Sequence, residues 1–173
     1  DGMIHHICYF VQNNIDIMLL TLIDLKLVSV YSVYYMITTM IRRLFESFLM
    51  SFRSAMGDMY ARNETVLLKR TFSSLEFIVY TSCTAIFTAV YYSLTPFIKL
   101  YTNGITDVNY INPLFAALII LAEVSYTLRI PYHTLVNSIG LYKQTKNLAI
   151  QEALINIIIS VIAVFKIFSY SFI

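Results

Sequence analysis

Charged side chains are scarce in this sequence of 173 residues. They make up 13% of it and hydrophobic residues 58%, whereas soluble domains average roughly 25% and 45–50%. So few charges cannot keep the surface of a soluble domain hydrated. The formal net charge is only +2, and no basic cluster alternates with base-stacking aromatic residues, so no nucleic-acid partner is expected.

Glycine and cysteine are scarce as well. The four glycines form no phosphate-binding loop. Cys8 and Cys83 match neither a metal-ligand spacing nor a disulfide framework, and both lie in apolar stretches, where thiols behave as small hydrophobic groups. The sequence also has no pair of carboxylates at a catalytic spacing and no Ser–His–Asp set. It therefore predicts a protein that is not an enzyme and that uses no cofactor or metal.

Long apolar runs are what the sequence has instead. Phe77 to Ile98 is a run of 22 residues without a charged side chain, and about 20 apolar helical residues cross the hydrocarbon core of a bilayer. Pro96 is expected to end this helix. Four less pure runs flank it. Together they predict an all-α, polytopic membrane protein whose single transmembrane domain covers residues 1–173, with spans at about 3–23, 27–47, 75–98, 113–142 and 148–168.

Positive charge alternates with these spans. The connections after the second and fourth spans are basic, whereas those after the first and third hold one lysine each. By the positive-inside rule the basic connections face the cytoplasm, so the amino terminus is expected inside and the carboxyl end outside. Because five crossings are unusual for a complete bundle, and the sequence opens with Asp1, we expect a piece of a longer protein. The basic residues are Arg42, Arg43, Arg53, Arg62, Lys69, Arg70, Lys143 and Lys146.

The first basic connection has a helical pattern. Apolar residues recur at intervals of three and four between residues 44 and 59, and Glu46 is close enough in sequence to pair with Arg42 or Arg43 on a helix. This pattern is typical of a helix that extends beyond the bilayer or lies along its surface. The alternative is a helix end that rests on its neighbours.

Two features belong to the predicted outer side. Asn103-Gly104 predicts a tight turn, because these residues tolerate positive φ angles. Several tyrosines near the outer interface predict an aromatic belt without any ligand. They are Tyr91, Tyr92, Tyr101 and Tyr110.

Arg129 is the strongest candidate for a substrate-binding residue, because an ionisable group at membrane depth must face a partner or a wet cavity. It lies near the middle of its span, two residues before Pro131, which is expected to open the helix locally. A guanidinium can bind a phosphate or carboxylate with two hydrogen bonds. The alternative is an ion pair with an acidic residue of a neighbouring helix. Glu123 faces another direction, and His133 is expected to act as a hydrogen-bonding group.

Asn13 and Asp16 are the other two candidate substrate-binding residues. They are three residues apart and share one helical face, which lines a polar cavity or hydrogen-bonds to neighbouring helices. Glu152 and Asn156 repeat the arrangement at a spacing of four. Glu152 and Glu76, however, lie near cytoplasmic helix ends, where a carboxylate commonly provides only favourable electrostatics.

Three stretches, taken together, resemble Wzx-type polysaccharide (O-antigen) flippases of the multidrug/oligosaccharidyl-lipid/polysaccharide exporter superfamily. Their order and spacing cover nearly the whole chain, and they point to the polysaccharide branch of the superfamily. The stretches are Asn13-Asn14-Ile15-Asp16 with residues 28–34; residues 96–104 with Asp107, Asn109-Tyr110 and Pro113; and residues 140–146 with Glu152-Ala153 and Ile155-Asn156.

The resemblance implies a fold and a function. Such flippases have two six-helix lobes around a central cavity, and this chain resembles the first five helices of the second lobe of that MATE-like bundle. It implies a multi-pass protein of the bacterial inner membrane that flips undecaprenyl-pyrophosphate-linked oligosaccharide repeat units between leaflets. The implied partners are the lipid-linked oligosaccharide, membrane lipids and other membrane proteins of polysaccharide assembly. Asn13, Asp16 and Arg129 would line the cavity.

Three other functions stay open. A cation-coupled exporter of small drugs would use Asp16 as its coupling carboxylate. A polysaccharide polymerase or glycosyltransferase would need a large outer loop or an Asp-x-Asp metal site, and residues 99–112 offer neither. The third alternative is a membrane subunit that packs against partners without transporting anything.

Overall fold

The structure is a computed structural model that describes residue 10, residues 14–15 and residues 17–171, apart from the side chains of residues 142–144, 146, 149 and 163–171. Within these ranges the chain is all α-helical, as predicted, and forms no strand. Residues 17–23 are helical. Five helices follow: α1, Leu25–Met50; α2, Arg53–Ala61; α3, Thr65–Tyr101; α4, Pro113–Ile139; and α5, Tyr142–Ser171.

The chain divides into two compact units. One is Val30–Gly140, which holds most of α1 and all of α2, α3 and α4. The other combines Asp1–Ser29 with Leu141–Ile173. Within this second unit, α5 contains the apolar segment Ile150–Ile162, and Ala153 is buried.

Within the part of the chain that the structure describes, two helices, α3 and α4, are long and apolar enough to cross a membrane. They have 37 and 27 residues, which at 1.5 Å per residue gives about 55 and 40 Å, against a hydrocarbon core of about 30 Å. They coincide with the predicted spans 75–98 and 113–142. The predicted spans 27–47 and 148–168 fall on α1 and α5, and 3–23 begins outside the described residues. These three spans stay predictions.

Both ends of α3 differ from the prediction. The helix begins at Thr65, ten residues before position 75, because no residue between them breaks a helix. It also continues through Pro96 to Tyr101, so the expectation that Pro96 ends it is wrong. Pro131 likewise lies inside the continuous helix α4. The turn after α3 is confirmed, since Gly104 has a φ of +88°, where a Cβ would be strained.

The core of the larger unit is an apolar stripe along α3, whose buried members recur mainly every four residues and include Cys83, a small hydrophobic group as predicted. Phe45, Leu49 and Met56 from α1 and α2 join it. Gly57 of α2 sits so close to α4 that an added Cβ would lie 3.0 Å from the Ser138 carbonyl oxygen. The stripe residues of α3 are Leu75, Val79, Cys83, Phe87, Leu94 and Ile98.

Side-chain contacts fix the relative directions of the helices. Early residues of α1 meet the start of α4 and later ones meet its middle: Tyr34 bonds to Asn112, and Arg42 pairs with Glu123. The helices α1 and α4 therefore run the same way. Glu76, near the start of α3, contacts Tyr132, near the end of α4, so α3 runs the opposite way. This alternation is the one that the predicted order of crossings requires.

Candidate functional site

Arg129 lies on an exposed part of α4. Its Nη2 is 3.3 Å from Nε2 of His133, which lies one turn further along the same helix. A guanidinium and an imidazole at this distance share a hydrogen bond when the ring nitrogen accepts. The sequence analysis predicts that His133 acts as a hydrogen-bonding group, and this contact agrees with that role.

A chain of polar groups lies next to Arg129 and joins α4 to α3. The Tyr132 hydroxyl donates a short hydrogen bond to Oε1 of Glu76. The Tyr80 hydroxyl lies 3.5 Å from the Tyr132 hydroxyl, at the limit of a hydrogen bond. The Phe72 ring packs edge-on against the Tyr132 ring, with centroids 5.3 Å apart. We call Glu76, Tyr80, Arg129, Tyr132 and His133 the polar face.

The polar face stands on the two most apolar helices that the structure describes. Arg129, Tyr132, His133 and Tyr80 are exposed, and Glu76 is half-buried. Ionisable groups cost several kcal/mol in hydrocarbon, so within a membrane they face protein or water. If α3 and α4 cross a bilayer, this face must border a hydrated space or another part of the protein. It can donate to an anion through Arg129 and accept through Glu76.

The other predicted site residues contribute less to this geometry. Asn13 and Asp16 lie outside the described residues, so their assignment stays a prediction. Glu152 on α5 is exposed, and Asn156 Oδ1 is buried without a hydrogen-bond partner among the described residues. Among all the residues that the structure describes, no group of three or more His, Cys, Asp or Glu residues could hold a metal ion.

A buried ion pair is the feature that sequence reasoning missed. Nε of Arg42 lies 3.1 Å from Oε2 of Glu123, and their side chains are only 7% and 8% exposed. The Arg42 guanidinium also lies 4.3 Å from the ring centroid of Tyr126, within cation–π range. The predicted contact with Glu46 is present at 3.7 Å. Sequence reasoning placed Arg42 in the cytoplasmic connection, yet it is buried in the core.

Glu123 and Arg129 do point in different directions, as predicted. Glu123 turns inward to Arg42, whereas Arg129 lies on the polar face.

Two signals for the buried pair were present in the sequence. Glu123 stands alone in an apolar run, and Arg42 directly follows the charge-free residues 27–41. Lone opposite charges on neighbouring apolar helices tend to meet, because each lowers the cost of burying the other.

A hydrogen-bonded tyrosine joins the first half of α1 to the segment just before α4. The buried Tyr34 hydroxyl donates to the Tyr110 carbonyl at 2.8 Å and accepts from the Asn112 N–H at 3.1 Å. The aromatic-belt prediction is wrong for Tyr110, whose side chain is buried. Burial, with the nearby Asp107 carboxylate, raises the pKa of the Tyr110 phenol. Asn112 also caps α4, since its Oδ1 accepts from the Phe115 N–H.

No protein-family model, curated protein or solved structure matches this chain. Functional inference therefore starts from the polar face, the buried pair and the resemblance of the three sequence stretches.

Proposed function

We propose that this chain belongs to a flippase that moves undecaprenyl-pyrophosphate-linked oligosaccharide repeat units from the inner to the outer leaflet of the bacterial inner membrane. The segment before α1, together with α1, α3, α4 and α5, would supply five crossings of the second lobe of a two-lobe, MATE-like bundle. The resemblance of the three stretches to polysaccharide flippases motivates the proposal. Transport of this kind needs no covalent chemistry, because the substrate is only moved between leaflets.

The polar face is the observation that carries the proposal. A sugar and a pyrophosphate must be shielded from hydrocarbon during the crossing, which requires a hydrated, partly cationic cavity between helices. The polar face offers an arginine, a histidine, a carboxylate and two phenols on the exposed side of two apolar helices. Such a face is costly against lipid but suits the wall of a hydrated cavity.

Within this proposal Arg129 binds the pyrophosphate. Its guanidinium is exposed and lies 3.3 Å from His133, so the two groups can present several N–H donors on one side of α4. A planar guanidinium can hold two phosphate oxygens at once. The phenols of Tyr80 and Tyr132 offer donors and acceptors for sugar hydroxyls. Asn13 and Asp16 would complete the lining.

The test is translocation by the protein that contains this chain, reconstituted in liposomes with a fluorescent lipid-linked oligosaccharide. We expect Arg129→Lys to retain part of the activity, because lysine keeps the charge but loses the planar fork. Arg129→Ala should reduce the rate by about tenfold or more, the scale of one lost charge-assisted hydrogen bond. Arg62→Ala is the matched control, since Arg62 is exposed on another segment and pairs with Asp58.

Several outcomes would contradict the proposal. Normal translocation and normal abundance in Arg129→Ala would remove Arg129 from the site. Loss of abundance together with activity would assign Arg129 to structural packing. Export of a small cation that stops in Asp16→Asn but continues in Arg129→Gln would favour a cation-coupled exporter. Sugar transfer without translocation would indicate a polymerase or glycosyltransferase, and no activity on any lipid-linked sugar would favour a non-transporting subunit.

A further inference from the structure

The exposed side of the first turns of α3 borders a groove that the proposed transport does not use. An open groove with a volume of about 890 Å³ lies against this helix. Every described lining residue is exposed, and from Lys69 onward the lining changes from cationic to hydroxyl to apolar along α3, while Val66 adds an apolar group one turn before Lys69. The residues that show this gradient are Lys69, Arg70, Ser73, Ser74, Phe77 and Ile78.

The spacing of these residues puts them on one side of the helix. They recur at intervals of three and four, as residues do that share a helical face. About 12 Å separates Lys69 from Phe77 at 1.5 Å per residue. The charge-free run of α3 begins at Phe77, so the two serines stand where the polar part of the chain gives way to the apolar part.

The cationic end of the groove has no acidic partner among the described residues. Neither Lys69 nor Arg70 forms a salt bridge with any residue in the part of the chain that the structure describes. The carboxylates nearest in sequence, Glu64 and Glu76, do not line the groove. Glu76 is turned toward α4, where it accepts from Tyr132. Both positive charges are therefore accessible to an anion from outside the described chain.

We propose that this groove binds an anionic phospholipid of the surrounding bilayer. Its phosphate would lie at Lys69 and Arg70, and an acyl chain would follow Phe77 and Ile78. The charges are complementary, since cations near an anionic leaflet attract its headgroups. The hydroxyls of Ser73 and Ser74 add donors at the level of the phosphate or glycerol. The proposal rests on the membrane location proposed above and does not depend on which substrate is transported.

Lipid binding can be measured on the protein that contains this chain, purified in detergent and titrated with phosphatidylglycerol or phosphatidylcholine of equal acyl length. Native mass spectrometry counts the lipids that remain bound. We expect Lys69→Gln with Arg70→Gln to weaken binding of phosphatidylglycerol by roughly 25-fold, about fivefold for each cation. Arg43→Gln with Arg62→Gln removes the same charge from exposed positions outside the groove and should change binding by less than about twofold.

A second measurement locates the acyl chain. The chain has no tryptophan, so Phe77→Trp introduces a reporter at the apolar end of the groove. Phosphatidylglycerol with brominated acyl chains should quench its fluorescence in detergent, whereas glycerol phosphate without acyl chains should not. If the glutamine variant fails to fold, Lys69→Arg with Arg70→Lys keeps both charges and should retain affinity within about threefold, with its salt dependence unchanged.

Four results would overturn the proposal. They are equal affinity for the two phospholipids, equal losses in the groove variant and its control, no quenching by brominated lipid, and a more than threefold loss of affinity in the charge-retaining variant. Displacement of phosphatidylglycerol by an equimolar polyprenyl pyrophosphate would reassign the groove to the substrate lipid. Failure of the flippase proposal can be distinguished from failure of this one, because it would appear as a loss of sugar translocation while phospholipid binding stays intact.

Discussion

Removing Arg42 should destabilise the larger unit more than removing any other arginine in it. The ion pair with Glu123 joins α1 to α4 in the core, and both side chains are less than one-tenth exposed. At the observed 3.1 Å separation the Coulomb attraction is roughly 5 kcal/mol for an effective dielectric constant of about 20. Desolvation of the two ions costs several kcal/mol each, so the intact pair contributes little net stability.

Although the intact pair contributes little net stability, removing one partner alone should be costly. Arg42→Met leaves the Glu123 carboxylate buried without its counter-charge, which costs about 3–5 kcal/mol. The Arg42 Nε–H does not point at the carboxylate oxygen in a hydrogen-bond geometry, so we expect the lower end of this range. A loss of about 3 kcal/mol changes the unfolding equilibrium by roughly 150-fold. Glu123→Gln should cost less, because Arg42 keeps Glu46 at 3.7 Å.

The assay is unfolding in mixed micelles, followed by helix content, with abundance in the membrane as a second readout. Arg43→Met is the matched control, because Arg43 is exposed beside Arg42 and should lose less than about 0.5 kcal/mol. The double variant Arg42→Met with Glu123→Leu should recover most of the stability, since apolar replacement of a buried pair is often neutral. Equal losses in the Arg42 and Arg43 variants, or a double variant as unstable as the sum of the singles, would refute this reasoning.

Two further predictions concern contacts between elements. Tyr34→Phe should lower the free energy of unfolding by about 1–3 kcal/mol, because it leaves a buried carbonyl and an N–H without their partner; Tyr91→Phe, at an exposed position, should be silent in the same melt. Gly57→Ala should destabilise by about 1–3 kcal/mol, because the new Cβ would meet the Ser138 carbonyl oxygen at 3.0 Å. Gly104→Ala meets no atom within 4 Å and should cost only about 1 kcal/mol, from its positive φ. No loss of stability in Gly57→Ala would contradict the close approach of α2 to α4.

Local sequence patterns predicted the features that depend on neighbours along the chain. The charge-free run located α3, and the spacing of four located the contact between Arg42 and Glu46. Gly104 marked the turn because its conformation is set by its missing Cβ. Such rules predict the ends of helices less accurately, since α3 continues through Pro96 to Tyr101. Neighbouring helices can support a proline that an isolated helix would not tolerate.

Features that depend on partners distant in the sequence were not predicted. Tyr110 was assigned to an aromatic belt from its expected depth, but it is buried in the core, and its carbonyl accepts a hydrogen bond from Tyr34, 76 positions away. Arg42 was assigned to the basic cytoplasmic connection, although it is buried against its partner Glu123 on another helix. No periodicity within one helix contains this information. Arg129 was found by its isolation in an apolar run, and only the structure shows that His133 accompanies it.

Two groups of charged residues on these helices thus have different physical consequences. Arg42 and Glu123 are buried and satisfy each other electrostatically, so their removal should act on stability. The polar face is exposed on the other side of α4 and is held in place by contacts to α3 through Tyr132. If these helices cross a membrane, the exposed arginine and histidine must face water or another part of the protein. A binding role and a structural role for Arg129 predict different outcomes, which makes the activity of Arg129→Lys at normal abundance the most informative measurement on this chain.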